Sequence, residues 1–158
     1  MMKKLVFLLA IGLSFMGCDK ENLNPDDLLD QAPEQASYKV SVDGEVFDEH
    51  SPNGAMLING WVSTGNKVDF TLTVFNAPEV GKTETIDYLT YTENIASNPM
   101  VQIMGDNVPT GLAMFYSGTI SRVSKYRIEF EGVFKELFIE GTEHTCEGFI
   151  EVEAVTDL

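Results

Sequence analysis

The sequence predicts one all-β domain, an antiparallel meander packed as a β-sandwich or a partly closed β-barrel. Three observations predict it. Beyond Ser37 apolar residues recur with a period of two, turn residues interrupt these runs at short intervals, and no window long enough for a crossover helix keeps a 3.6-residue period.

Taken in order, runs over 38–42 and 45–48 flank Asp43-Gly44, a dipeptide suited to a tight hairpin. A strand over 55–62 follows. In 67–75, Val68, Phe70, Leu72 and Val74 share one face while Asp69, Thr71 and Thr73 share the other, the pattern of a half-buried strand. Residues 84–92 read as a strand of ambiguous face, with Ile86 and Tyr88 on one side and Leu89 and Tyr91 on the other. Glu93 to Pro99, carrying Asn94 and Asn98, reads as a loop or a short helical turn. Strands resume over 100–104 and 113–121. Over 125–135, Tyr126, Ile128 and Phe130 face inward and Lys125, Arg127, Glu129 and Glu131 outward. The last strand spans 147–155 around Ile150, Val152 and Ala154. Thr64-Gly65-Asn66, Gly81-Lys82, Gly105-Asp106-Asn107 and Gly141-Thr142 supply the other turns.

The 158 residues carry 25 acidic against 10 basic side chains, a formal charge of -15. Such a surface repels a phosphate backbone, which excludes nucleic acid as a partner and disfavours an anionic membrane face. It also opposes self-association, so a monomer is expected.

Any membrane attachment must therefore come from the N-terminus. Lys3 and Lys4 precede an apolar stretch from Leu5 to Met16. At about 1.5 Å per residue in a helix, this stretch falls well short of a hydrocarbon core of about 30 Å, so it reads as a signal peptide and not a spanning helix. Phe15-Met16-Gly17-Cys18 at its end resembles the lipobox of bacterial lipoproteins. The resemblance implies diacylglycerol on the Cys18 thiol, cleavage before Cys18 and acylation of the freed amine. The alternative is an ordinary secretory signal with a coincidental cysteine, which would leave an exposed thiol on an exported protein. Residues 1–17 are thus expected to be removed and Cys18 to be the lipidation site. Cys146 is then the one cysteine left, no internal disulfide can form, and stability must come from the core.

Residues 18–36 form an acidic tether. Asp19, Glu21, Asp26, Asp27, Asp30 and Glu34 stand against Lys20, with Pro25 and Pro33 and no aromatic residue, a composition that cannot offset its ordering entropy by burial. The Lys20-Glu21 step resembles the export signals that place lipoproteins of Bacteroidota on the cell surface, although Asn22 breaks the usual second acidic position. Residues 37–158 form the domain. Its opening, Tyr38-Lys39-Val40-Ser41-Val42-Asp43-Gly44-Glu45-Val46-Phe47, resembles small lipoproteins of unknown function from Bacteroidota. So do the glycine and aromatic punctuation of Ile128 to Phe134 and the ending Cys146-Glu147-Gly148-Phe149-Ile150-Glu151-Val152. The resemblance implies a lipobox and tether ahead of one all-β domain in the cell envelope, at the outer membrane. It brings no catalytic residues.

Candidate chemistry is sparse. His50 follows Asp48 and Glu49, while His144 follows Glu143 two residues before Cys146; these would approach a zinc set only if His50 folded against the His144-x-Cys146 pair. The bland reading is two surface histidines and a small buried thiol. Cys146 beside His144 lacks a third group to orient it as a nucleophile, and no Gly-x-Ser-x-Gly elbow is present. Glu129 with Glu131, and Glu151 with Glu153, lie about 6.6 Å apart along a strand, a separation glycosidases also use, but their alternation with apolar residues reads as a solvated face. Trp61, Tyr88, Tyr91 and Tyr116 would stack on sugars if exposed and are expected mainly in the core.

The expectation is therefore a lipid-anchored envelope protein that binds or supports, with no enzyme activity, catalytic residue, metal or cofactor. Its partner would be an envelope protein, a glycan or a small apolar ligand. The last belongs to the alternative of a calycin-like carrier barrel, and a minor hydrolase is the remote alternative.

Overall fold

The computed structural model describes residues 31–52, 54–64, 69–108, 111–136 and 142–156. The expected signal peptide, Cys18 and most of the expected tether lie outside the described residues, as do positions 67–68 of the expected fourth run and parts of the Thr64-Gly65-Asn66 and Gly141-Thr142 turns.

Among the described residues eleven strands and one short helix follow one another: β1 (Ser37–Val42), β2 (Glu45–His50), β3 (Met56–Ile58), β4 (Val62–Ser63), β5 (Thr71–Phe75), β6 (Thr83–Asp87), α1 (Tyr88–Glu93), β7 (Met100–Met104), β8 (Leu112–Arg122), β9 (Arg127–Glu136), β10 (Glu143–Glu151) and β11 (Ala154–Thr156). Nine strands form one antiparallel sheet in the order β2-β1-β10-β9-β8-β7-β5-β4, with β6 also on β8; β11 and β3 pair in parallel apart from it. The all-β class holds, and the large sheet is strongly curled into a half-barrel. Strands β7 to β10 are the expected meander. The β1–β2 hairpin joins its far edge through β10, so the two ends of the domain meet.

Alternation builds the core. The register places Tyr38, Ile150 and Ile128 in one cross-strand row and Val40, Phe130 and Ile120 in the next, all buried. From the other wing Leu57, Val62, Leu72, Val74, Val101 and Ile103 close on them. Each such side chain contributes about 1.5–3 kcal/mol when fully buried. Packing starts one residue ahead of the expected boundary, since Ala36 is buried and its N–H donates to Glu153 Oε1 at 3.0 Å.

Four local readings are corrected. The expected strand over 55–62 is two strands, β3 and β4, because Asn59 and Gly60 take φ of 49° and 76° and turn the chain. These are the two left-handed residues of a type I′ hairpin turn, and Ile58 and Trp61 exchange backbone hydrogen bonds of 2.8 and 2.9 Å across it. The strand expected over 84–92 stops at Asp87, whose carboxylate accepts from the N–H groups of Leu89 and Thr90 and caps α1. The helix turns Tyr91 into the core, against Phe75, and so removes the face conflict. The final strand divides at Val152: β10 starts earlier, at Glu143, and Val152 and Glu153 donate instead to the carbonyls of Tyr126 and Ala55. Last, Thr71 and Thr73 are 8% and 6% exposed, so β5 is covered on both faces and is not half-buried.

Glycines allow the closest approach of strands. Gly118 and Gly132 are register partners in β8 and β9. A Cβ on Gly132 would lie 2.7 Å from the Gly118 Cα and closer still to the Ser117 carbonyl oxygen. Only a residue without a side chain fits either position.

Candidate functional site

The face of β1, β10, β9 and β8 turned away from the core is polar, and its residues stand in rows fixed by the register. One row runs Ser41, Glu147, Glu131, Thr119; the next runs Lys39, Phe149, Glu129, Ser121. Together they line a shallow trough of ≈ 430 Å³, and a second hollow of ≈ 490 Å³ continues it over Gly118, Gly132 and Gly44. Ser41, Thr119, Glu131 and Glu147 line both, so the hollows form one continuous trough along that row.

One arginine organises one flank. Arg127 Nε donates to Glu129 and its terminal nitrogen to Glu151, each at 2.7 Å, and the guanidinium carbon lies 4.0 Å from the Phe149 ring centroid. Burial alone would lower its pKa, but the hydrogen bonds to both carboxylates outweigh this and raise it. The fork fixes the two acids and the ring as one unit. The other acids are less provided for. Glu131 accepts a long bond of 3.4 Å from Thr119, and among the described residues the Glu147 carboxylate has no hydrogen-bond or ion-pair partner, although it stands directly opposite Glu131. Like charges facing across strands repel. Both are exposed, and water screens the repulsion.

The sequence-predicted candidates fall elsewhere. His50 is paired with Tyr38 at one end of β1, whereas Cys146 is paired with Val42 at the other, about 13 Å away at a strand rise of about 3.3 Å per residue. The His50 and His144-x-Cys146 groups are therefore not brought together, and among the described residues no group of three or more His, Cys, Asp or Glu is arranged to hold a metal ion.

Each histidine has its own carboxylate. His50 Nδ1 lies 2.9 Å from Asp48, which also accepts from the Tyr38 hydroxyl at 2.9 Å, in a small hollow of ≈ 300 Å³ shared with Asp69, Asp106 and Asn107. The Tyr38 ring stacks between His50 and Phe70. His144 Nδ1 lies 2.9 Å from Asp43 and its ring stacks on Phe134. The bonds from His144 and Thr145 hold the Asp43 carboxyl below its usual range. This pinning, not chemistry, is the visible role of Asp43: it accepts from Thr145 N and Oγ1 at 3.0 Å and locks the β1–β2 turn onto β10.

Burial pushes the Cys146 thiol up to about 12, with Glu147 and Asp43 adding to the effect, so its thiolate is scarce at neutral pH. Glu151 accepts from Arg127 and Ser37, and Glu153 accepts from the Ala36 N–H. Of the aromatics, Tyr91 is core, Tyr88 stacks on Tyr116, and Trp61 and Tyr116 are exposed. Sequence reasoning named Glu129 and Glu131 but missed Glu147, Phe149 and Lys39 as their companions; the period of two put them outside, but only strand pairing shows which neighbours meet.

Among the described residues no helix is long and apolar enough to cross a membrane. No family model matches the chain, and neither a curated protein nor a solved structure matches it.

Proposed function

We propose that the protein is a lipid-anchored binding module of the bacterial cell envelope, akin to the small lipoproteins of Bacteroidota, and that it holds a glycan in the polar trough of its sheet. The trough lining carries the reading. Glu131 and Glu147 offer acceptors with lone pairs to spare, and the Ser41 hydroxyl and the Lys39 ammonium, 3.8 Å from Glu49, offer donors. Thr119 and Ser121 add hydroxyls already bonded to Glu131 and Thr83, and Phe149, with Arg127 over its ring, adds an apolar edge. A sugar ring presents the matching set, with hydroxyls around its rim and C–H groups on its faces. A small apolar ligand would desolvate these carboxylates without pairing them, which costs about 1–3 kcal/mol for each polar group left unsatisfied.

Anchoring rests on the sequence. Lys3-Lys4, the short apolar stretch and Gly17-Cys18 support lipidation at Cys18, and Lys20-Glu21 supports display on the outer face of the outer membrane. The proposed role is recognition without catalysis, by a monomer and without a cofactor.

Titration calorimetry of the domain against neutral β-glucan oligomers, muropeptides and lipopolysaccharide-derived oligosaccharides tests it. Phe149→Ala and Glu147→Gln should each weaken binding about tenfold, the size of one lost stack or hydrogen bond. Binding indifferent to both substitutions would move the site out of the trough. No binding to any of the three glycan classes would remove the glycan.

A further inference from the structure

We propose that the outward face of the β3–β4 hairpin, with Met56, Ile58 and Trp61, rests on the surface of the membrane to which the chain is anchored. This rests on the lipid-anchor reading of Cys18.

The geometry of the hairpin sets the face. The Asn59-Gly60 turn and the reciprocal bonds between Ile58 and Trp61 put those two side chains on one side. Alternation sends Leu57 and Val62 the other way, and both are fully buried. Met56 and Trp61 are left 41% and 45% exposed on the side opposite the core. A single exposed apolar residue needs no explanation, but a tryptophan and a methionine flanking an isoleucine on one small strand pair make a patch. Tryptophan is the side chain most at home at a lipid headgroup boundary, where its ring is half wet and half apolar.

The occupant follows from where the tether joins. Ala36 donates to Glu153, and Glu153 donates through its own N–H to the carbonyl of Ala55, the residue before Met56. The chain therefore enters the domain beside this patch, at the head of β1, whose Lys39 and Ser41 border the trough further along the strand. Ala36 lies eighteen residues beyond Cys18, and at a random-coil span of about 25 Å a linker of that length would keep the patch at a high effective concentration near the bilayer. A contact too weak to bind a free protein to lipid then suffices to orient a tethered one. The acidic surface limits the contact to leaflets of low net charge.

Trp61 is the single tryptophan, so its fluorescence reports on this face alone. The mature chain, starting at Cys18, is coupled through that thiol to a maleimide lipid in phosphatidylcholine vesicles; Cys146 is 3% exposed and does not compete. Coupling should shift the Trp61 emission to the blue, and phosphatidylcholine brominated near the headgroup should quench it. Met56→Asp, at a position 41% exposed, should reverse both changes while the circular dichroism spectrum of the folded chain stays the same. An unchanged, unquenched Trp61 overturns the orientation. A blue shift without bromine quenching overturns it too, by assigning the face to another protein surface. Mass measurement on the chain isolated from cells separates the two layers: unmodified Cys18 overturns the anchor reading and this orientation with it, whereas lipidated Cys18 with unquenched Trp61 overturns the orientation alone.

Discussion

Replacing Gly132 by alanine tests the link between the glycine pair and the shape of the sheet. The new Cβ would sit 2.7 Å from the Gly118 Cα and 3.1 Å from the Ser117 carbonyl carbon, with the Ser117 oxygen nearer still. Ordinary carbon–oxygen contacts between strands run at about 3.3–3.6 Å, so β8 and β9 would have to part by about 1 Å. Every obstructing atom is backbone, so no side chain can swing away. Overpacking of this kind costs about 1–3 kcal/mol, and weakening the adjoining ladder hydrogen bonds adds about 1 kcal/mol. The reduced entropy of the unfolded chain returns less than about 1 kcal/mol. A net loss of about 2–3 kcal/mol is expected, which lowers the melting temperature of a domain of this size by about 10 °C. Urea unfolding followed by circular dichroism measures it, with Gly81→Ala as the comparison. Gly81 has a φ of +77° and nothing within 4 Å of the added carbon, so only backbone strain of about 1 kcal/mol applies. If Gly132→Ala proved as stable as the natural chain, or no less stable than Gly81→Ala, the close approach of β8 and β9 would be refuted.

Three further outcomes are expected. Arg127→Gln should cost about 1 kcal/mol in chemical denaturation, because its ion pairs are partly exposed and screened, and added salt should narrow the difference. Asp87→Ala should cost about 1 kcal/mol by removing the cap of α1, with Asp87→Asn recovering most of it. Stability should decline on the alkaline side. Burial holds the Cys146 thiol at about 12, against about 8.5 in an unfolded chain, so between these values the unfolded chain has released a proton that the folded one keeps. Folding then weakens by up to about 1.4 kcal/mol per pH unit from this group. Tyr38, raised by burial and by Asp48 beside it, acts in the same direction at higher pH. Denaturation series from pH 7 to 10 should show the decline, and Cys146→Ala should flatten it.

What could be read in advance divides along physical lines. Where one face meets core and the other water, alternation is sufficient: Tyr126, Ile128 and Phe130 are partly or fully buried, and Arg127, Glu129 and Glu131 lie on the polar face. Asp43-Gly44 marks its hairpin for the same local reason, since both residues take positive φ. Asn59-Gly60 carried an equally strong local signal, but a run of apolar residues on either side read as one strand. Asp87 was harder. Its capping role depends on the chain already bending there, and Tyr88, Leu89 and Tyr91 fit a strand and a helix almost equally over so few residues. Thr71 and Thr73 mislead because a hydroxyl on a strand signals solvent until other parts of the fold cover it. The trough was least legible. That Glu147 faces Glu131, and Phe149 faces Glu129, is a consequence of β10 pairing with β9 in one register, and a one-residue slip would pair different neighbours. The separation of His50 from Cys146 has the same origin, since β1 presents one end to each.

The most direct test of the account is a map of amide chemical-shift changes over the isotopically labelled chain from Cys18 onward, titrated with whichever of the three glycan classes binds in calorimetry. The account predicts saturable shifts along Lys39, Ser41, Thr119, Glu131, Glu147 and Phe149, with those around Tyr38, Asp48 and His50 unmoved. Shifts centred on the His50 hollow, or spread without saturation over the whole acidic surface, would contradict it.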